Sequence, residues 1–330
     1  MNILQKILST QSASYETERM QNTIISILDK LNLGYTQDTY GNIYVTKGNA
    51  DLYPTMVCHI DTVHDINDHV IIQRVNDNLY AFDTRKMEQY GIGGDDKVGI
   101  YITLKCLEHF DNFKAVFFLD EEVGCIGSSQ ANMSFFDDST IVLQCDRQGY
   151  EDFVNKISNV KLFDDTLLND IQSTLTYYGR KVTTGGLTDV KTIASKNNVQ
   201  VANMSCGYYN PHSNQEYINL TDMEDTLDMC IKILTITAHK RYTIEDRVVP
   251  YQMFSYGHYN YAKYYNYNQQ QQISDLDNII ETDIPKKKYC PLCHSKMDTD
   301  EFYAVDYCYN CEEYFPKSNS NYNSYYYDKL

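Results

Sequence analysis

The sequence has few basic residues and no long apolar run. No stretch approaches the roughly 18 apolar residues of a membrane-spanning helix, and residues 1–6 lack the apolar core of a secretory signal. We therefore expect a cytoplasmic protein without a membrane partner. Lysine and arginine total 28 against 45 acidic residues, which gives a net charge of −17. Because such a chain repels phosphates, nucleic acid is not an expected partner of the main domain, whereas cations are.

The ten cysteines fall into two groups. Six stand singly in apolar or motif contexts, where a reducing compartment makes them small buried hydrophobes. The other four form the pairs Cys290/Cys293 and Cys308/Cys311, separated by residues 294–307. Two Cys-x-x-Cys pairs at this interval can supply four thiolates to one tetrahedral zinc, so we predict a structural zinc ribbon. His294 also completes a c-type haem attachment pattern, but haem would leave the second pair unused and would require export.

Changes of composition divide the chain into four parts. Residues 1–245 carry the apolar periodicity of a large folded domain. Residues 246–285 are rich in Tyr, Asn and Gln and offer little aliphatic material for a core, so we predict a linker. The zinc ribbon would occupy residues 286–316, and residues 317–330 form a polar tail.

Strands alternate with helices in the large domain. Apolar runs and alternation predict a hairpin over 70–82 and strands over 41–48, 55–59, 114–119, 140–145 and 199–204. Helical spacing predicts helices over 15–32, 100–110, 166–177 and 221–239. We expect an α/β fold with a mostly parallel central sheet, flanked by helices and carrying its chemistry at the strand ends.

The strand over 55–59 ends in a histidine that an aspartate follows two residues later. On an extended chain, residues i and i+2 project to the same face, so Asp61 can approach the His59 imidazole and fix which nitrogen points forward. This arrangement is typical of a metal ligand and the residue that orients it.

Other acidic and imidazole side chains also sit at predicted strand ends or glycine turns. Two neighbouring divalent ions need a bridging carboxylate and further histidine and carboxylate ligands, and hydrolysis needs one carboxylate that is not a ligand. The side chains at these positions include all the groups that such a centre needs: His59, Asp61, Asp95, Asp96, Glu121, Glu122, Asp146 and His212.

Four ordered motifs resemble those of the co-catalytic dizinc exopeptidases, the group that contains peptidase T, glutamate carboxypeptidase and the compact zinc aminopeptidases. They are His-Ile-Asp-Thr-Val from His59, Gly-Gly-Asp-Asp-Lys-Val-Gly from Gly93, Asp-Glu-Glu-Val-Gly from Asp120, and Asn-Pro-His-Ser from Asn210. The resemblance covers residues 1–245 and implies a peptidase that uses two catalytic Zn²⁺ ions, for which Co²⁺ or Mn²⁺ can substitute.

The resemblance also implies roles for individual residues. His59 and Asp146 would bind the first metal, Glu122 and His212 the second, and Asp95 would bridge them, because the family's bridging aspartate lies two residues before the lysine. Asp61 would orient His59, and Glu121 would be the general base. The segment Gly185–Asp189 resembles a substrate-proximal loop, which suggests substrate contacts from Gly186, Thr188 and Asp189.

One feature departs from the peptidase T pattern. Those enzymes insert a lid and dimerisation domain before the final histidine, but only residues 147–211 separate Asp146 from His212 here. We therefore expect no lid domain and a monomer.

The predicted activity is that of an aminopeptidase acting on short peptides, since a free amine is attracted to an acidic site. Two alternatives stay open at this point. The chain could be a related amidohydrolase, either a deacylase or a carboxypeptidase, that uses the same metals. It could also be a binding protein whose peptidase core is catalytically inert and whose zinc ribbon recruits an unknown partner.

Overall fold

The computed structural model describes residues 3–245, residue 247, and three short strands between residues 298 and 316. The chain divides into two compact units, Met1–Val248 and Val249–Leu330. None of the helices in these described ranges has the length and apolar character needed to cross a membrane.

A nine-stranded sheet forms the centre of the first unit. Its strands are β1 (Tyr35–Gln37), β2 (Ile43–Lys47), β3 (Tyr53–His59), β7 (Phe113–Phe118), β8 (Ser139–Gln144), β9 (Asp152–Ile157), β10 (Val160–Lys161), β11 (Lys181–Gly185) and β12 (Val201–Met204). The strand order is β1-β2-β7-β3-β8-β12-β9-β10, and β11 also pairs with β9.

The inner strands β7, β3, β8 and β12 are parallel, while the outer pairs β1–β2, β2–β7, β12–β9 and β9–β10 are antiparallel. Every residue of β3, β7 and β8 is buried. Strands covered on both faces read as continuous apolar runs, which is why their positions could be predicted. The predicted α/β fold with a parallel sheet at its centre is confirmed.

Helices cover this sheet. They are α1 (Ile3–Leu8), α2 (Glu18–Lys30), α3 (Gly94–His109), α4 (Ile126–Gln130), α5 (Asp165–Tyr177), α6 (Asp189–Lys196) and α7 (Leu220–Thr237), with a 3₁₀ turn at Met133–Phe136. Helix α3 packs on β3 and β7, α6 on β8 and β12, and α7 on β3 and β8. The third helix begins six residues earlier than its apolar spacing predicts, inside the glycine-rich motif.

A smaller sheet contains β4 (Val70–Val75), β5 (Asn78–Asp83), β6 (Glu88–Tyr90), β13 (Tyr208–Tyr209) and β14 (Tyr217–Asn219). Its order is β13-β14-β5-β4, and β6 also pairs with β5. The predicted hairpin is confirmed as β4 and β5, which pair antiparallel. Between Asp146 and His212, the chain adds β9 to β12 to the central sheet, so this segment forms no separate lid domain.

The described part of the second unit is an antiparallel sheet of β15 (Asp298–Asp300), β16 (Val305–Cys308) and β17 (Glu313–Pro316). Cys308 ends β16, whereas Cys290, Cys293 and Cys311 lie outside the described residues. The zinc ribbon therefore stays a prediction. The boundaries of the linker and of the polar tail also stay predictions, because residues 248–297 and 317–330 lie outside the described residues.

Candidate metal centre

The parallel register of the inner strands brings the predicted ligands to one edge of the sheet. His59, the last residue of β3, pairs with Phe118 at the end of β7, and Val57 of β3 pairs with Gln144 at the end of β8. The segments that carry Glu121, Glu122 and Asp146 leave β7 and β8 directly after these pairs. The carboxyl ends of neighbouring parallel strands thus present these side chains together.

The Asp95 carboxylate lies between the two histidines. Its Oδ1 is 3.0 Å from His59 Nε2, and its Oδ2 is 3.3 Å from His212 Nε2. His59 Nε2 is also 3.6 Å from Asp146 Oδ1, and His212 Nε2 is 3.2 Å from Glu122 Oε2. The five side chains therefore form two groups that share one carboxylate.

The neighbouring Asp96 has a different set of partners. Its Oδ2 accepts a hydrogen bond from the His59 backbone N–H at 3.2 Å, and its Oδ1 accepts one from the Gly99 N–H at 3.0 Å. Asp95 and Asp96 have non-helical φ/ψ at the start of α3, with ψ of 103° and 34°. This backbone sends one carboxylate to the histidines and the other to backbone amides.

Asp61 supports the fully buried His59 ring. His59 Nδ1 lies 3.0 Å from the Asp61 carbonyl oxygen and 3.3 Å from its Oδ1. The Asp61 carboxylate in turn accepts hydrogen bonds from Ser14 Oγ at 2.7 Å and from the backbone N–H groups of Glu121 and Glu122 at 3.0 and 3.3 Å. The contact that i, i+2 spacing predicts is present, and it leaves His59 Nε2 facing Asp95.

The adjacent glutamates face different neighbours. Glu122 contacts His212 through Oε2, while its buried Oε1 has no hydrogen-bond partner in the part of the chain that the structure describes. Glu121 Oε1 accepts a hydrogen bond from the Cys125 thiol at 3.2 Å. An orphaned buried carboxylate oxygen is costly, and a cation would satisfy Glu122 Oε1.

The electrostatics of the site also fit cations. Burial raises the pKa of Glu121 well above its ordinary value, and raises that of Glu122 to about 7 and that of Asp146 to about 6. The Glu122 carboxylate raises the pKa of His212 to about 12. Burial lowers the pKa of His59, but hydrogen bonds from its ring to Asp146, Asp61 and Asp95 outweigh burial and raise it. Bound cations would favour the ionised forms of Glu121, Glu122 and Asp146 and so offset the cost of burying these carboxylates.

Ligand atoms in this cluster are close enough for metal coordination. Those of His59, Asp95 and Glu122 lie within 4.8 Å of one another, and so do those of His59, Asp96 and Asp146. With its hard carboxylate oxygens and imidazole nitrogens, the donor set suits zinc, cobalt or manganese. The residues present therefore fit metal cofactors.

Two of the three residues predicted to be near the substrate contact Asp146 or the neighbouring Gln144 at the end of β8. Thr188 is buried, and its hydroxyl donates to Asp146 Oδ2 at 2.6 Å. Asp189 is also buried and accepts a hydrogen bond from Gln144 Nε2 at 3.3 Å, and among the described residues its Oδ1 has no hydrogen-bond partner. Gly186 is half-buried on the same loop. The substrate role of these residues stays a prediction, whereas the contact of Thr188 with Asp146 is present in the structure.

Three further residues of the site were missed by the sequence analysis. The Tyr208 hydroxyl donates to Asp146 Oδ1 at 3.4 Å. Glu216 accepts hydrogen bonds from the Gly93–Asp95 turn and from His64. Glu216 lies four residues after His212, but no motif in the sequence distinguishes it or His64 from a surface residue.

Comparison with known proteins gives one family match. A family model described as M42 glutamyl aminopeptidase matches residues 83–229, a span that contains the proposed ligands from Asp95 to His212. No curated protein sequence matches the chain.

Solved structures share the fold at low sequence identity. Aminopeptidase PepT from Bacillus cereus aligns at 12% identity with a TM-score of 0.60, over 71% of this chain and 97% of its own. A tripeptidase from Staphylococcus aureus aligns at 12% identity with a TM-score of 0.59, over 72% and 98%. The TET1 peptidase of Pyrococcus horikoshii, which can assemble into a tetrahedron or a large octahedral shell, aligns at 14% identity with a TM-score of 0.53, over 70% and 98%. The family model and the shared fold confirm the predicted resemblance to metal-dependent exopeptidases.

Proposed function

We propose that this chain is a metal-dependent aminopeptidase that removes the N-terminal residue of short peptides. The observation that carries the proposal is the position of Asp95, whose two oxygens each face a different histidine at 3.0 and 3.3 Å. A carboxylate shared between two groups of ligands is what a pair of co-catalytic ions requires.

The described side chains divide naturally between two ions. His59, Asp95 and Asp146 would hold the first, and Asp95, Glu122 and His212 the second. Zinc suits these ligands, and cobalt or manganese would also fit them. When bound, such ions polarise the carbonyl of the scissile bond and make a water molecule more acidic.

Glu121 is the residue proposed to move the proton. Its Oε1 accepts a hydrogen bond from the Cys125 thiol, its backbone N–H is anchored to Asp61, and its side chain is half-buried beside the cluster. As general base it takes a proton from the attacking water while the oxygen–carbon bond forms. It then gives that proton to the amine as the carbon–nitrogen bond breaks. Burial suits this role, because a raised pKa makes Glu121 a better proton acceptor.

The preference for a free N-terminal amine is inferred from charge. Seven carboxylates lie in or beside the candidate centre, which is more negative charge than two divalent cations would balance, and the chain as a whole carries a net charge of −17; the seven belong to Asp61, Asp95, Asp96, Glu121, Glu122, Asp146 and Asp189. A protonated α-amine would be attracted to this site, whereas the carboxylate that a carboxypeptidase must bind would be repelled. PepT and the tripeptidase, which share the fold, are named for activity on such substrates.

A panel of matched substrates tests the proposal. A tripeptide with a free amine, the same peptide with an acetylated amine, and an N-acyl amino acid would be offered to the full chain with added Zn²⁺ or Co²⁺. We expect release of the first residue from the free peptide alone, and loss of this activity with a chelator. Faster cleavage of the acetylated substrates would instead support a deacylase.

Glu88→Gln provides the matched control for variants of the site. This glutamate lies on β6 and is exposed. The variant should hydrolyse the free peptide at the wild-type rate, so that the loss of one acidic charge is separated from the loss of a site residue.

A further inference from the structure

We infer that Glu216 is a positioning residue of the metal centre, which holds the turn that carries Asp95 and so fixes where the shared carboxylate points. This inference rests on the proposed function. Glu216 is fully buried, although a buried carboxylate is unfavourable unless it is paired or hydrogen-bonded. The hydrolytic steps above do not use it, so its burial calls for another explanation.

Three donors converge on the Glu216 carboxylate. Oε2 accepts hydrogen bonds from the Gly93 backbone N–H and from His64 Nε2, both at 2.7 Å. Oε1 accepts one from the Asp95 backbone N–H at 3.1 Å. Two of the three donors are therefore backbone groups of the turn, and one of them belongs to Asp95 itself.

The backbone of the turn lies close to the side chains of Glu216 and Tyr208. Gly93 has a φ of +68°, a left-handed conformation that glycine adopts readily. A Cβ on Gly94 would lie 2.6 Å from Tyr208 Cβ and 3.4 Å from Glu216 Oε1, so the backbone passes close to both side chains. The backbone N–H of Asp95 is thus held close to the Glu216 carboxylate.

Glu216 also connects two proposed ligands. It lies between His212 and β14, and so belongs to the segment that delivers His212, while its carboxylate holds the segment that delivers Asp95. The His64 ring lies against Gly91, where a Cβ would come within 1.9 Å of the ring. The contacts of Glu216 therefore set the spacing between the shared carboxylate and a histidine of the second group.

Glutamine cannot reproduce these contacts. Glu216→Gln keeps the shape of the side chain but has one acceptor oxygen, so its NH₂ group must face either the Asp95 N–H or both the Gly93 N–H and His64. One backbone donor of the turn is then expected to lose its acceptor. Changes to residues that orient metal ligands typically weaken metal affinity about 10- to 100-fold, and we expect a loss of that size.

The test measures Mn²⁺ binding to the metal-free full chain by the EPR signal of free Mn²⁺. Manganese suits carboxylate and imidazole ligands, whereas the predicted thiolate ribbon selects zinc, so the titration reports on the candidate centre. Glu216→Gln should bind Mn²⁺ more weakly, and its kcat should recover at saturating Mn²⁺ with KM unchanged. Glu88→Gln should bind Mn²⁺ like the wild type.

A residue that only stabilises the fold would lower the thermal midpoint of the metal-free protein and leave the Mn²⁺ affinity of the folded protein unchanged. That result would overturn the inference. Should Glu216→Gln not fold, His64→Ala provides the test, because it changes no residue of the turn but removes the side-chain donor that holds the Glu216 carboxylate against it. Weaker Mn²⁺ binding by His64→Ala supports the inference, and unchanged binding overturns it.

Failure of the proposed function would appear in a different measurement. A wild-type chain that binds no Mn²⁺ and hydrolyses no peptide would refute both proposals. A wild-type chain that binds Mn²⁺ and cleaves peptides, together with a Glu216→Gln variant of unchanged affinity, would refute the positioning role alone.

Discussion

The adjacent glutamates of the Asp-Glu-Glu motif should respond differently to the same substitution. Glu121→Gln keeps the shape and volume of the side chain but removes its capacity to accept a proton. Since Glu121 contacts Cys125 and is not among the side chains that surround Asp95, the variant should retain its metals. Glu122→Gln instead alters a side chain that lies 3.2 Å from His212, and should weaken the second metal.

The size of the effect follows from the proposed roles. General-base catalysis contributes about 10²- to 10⁴-fold, which corresponds to about 3 to 5 kcal/mol of activation free energy. We therefore expect Glu121→Gln to lower kcat by at least 100-fold, on the order of the smallest contribution of a general base, with little change in KM. Glu122→Gln should lose activity that added zinc or cobalt restores in part.

The assay combines peptide hydrolysis with elemental analysis after dialysis, with Glu88→Gln as the control for charge. If Glu121→Gln loses a metal while Glu122→Gln keeps both and is inactive, the two roles are reversed. If both variants hydrolyse peptides at the wild-type rate, the proposed mechanism is wrong.

Three further predictions concern the rest of the chain. Changing Cys308 and Cys311 to serine should lower the zinc content from about three ions per chain to about two, and an unchanged content would refute the ribbon. A chain that ends at residue 248 should fold and keep its peptidase activity, because the proposed ligands lie within the first compact unit. If the shortened protein folds but is inactive, residues 249–330 contribute to the substrate site. Light scattering at micromolar concentration should give the mass of a monomer, since residues 147–211 build parts of the two sheets and no lid domain, whereas a larger mass would show that other surfaces associate.

The positions of the inner strands could be predicted because strands that are buried on both faces appear in the sequence as continuous apolar runs. The strand predicted over 55–59 is Tyr53–His59, and the one over 140–145 is Ser139–Gln144. Polar residues at the ends of such runs stand out, which is why His59 and Asp146 could be predicted as candidate site residues. The order of the strands and the antiparallel outer pairs depend on long-range packing that no local pattern encodes.

The parts of the site that sequence did not predict depend on contacts between distant segments. Asp95 and Asp96 have identical chemistry, so the sequence favours Asp95 as the shared carboxylate only through the family resemblance, and the physical distinction lies in the non-helical backbone at the start of α3. Glu216 reaches the Gly93–Asp95 turn from more than a hundred residues away in the sequence. The motif that suggests a substrate contact for Thr188 gives no sign of the hydrogen bond from its hydroxyl to Asp146, which the packing of α6 brings about.

The central claim is that Asp95 joins two metal ions, and a crystal structure of the full chain grown with Zn²⁺ tests it most directly through anomalous scattering at the zinc edge. We predict two peaks about 3.5 to 4 Å apart. One should lie against His59 and Asp146, the other against Glu122 and His212, with an Asp95 oxygen bound to each. A single ion at this site, or two ions that Asp95 does not bridge, would contradict the account.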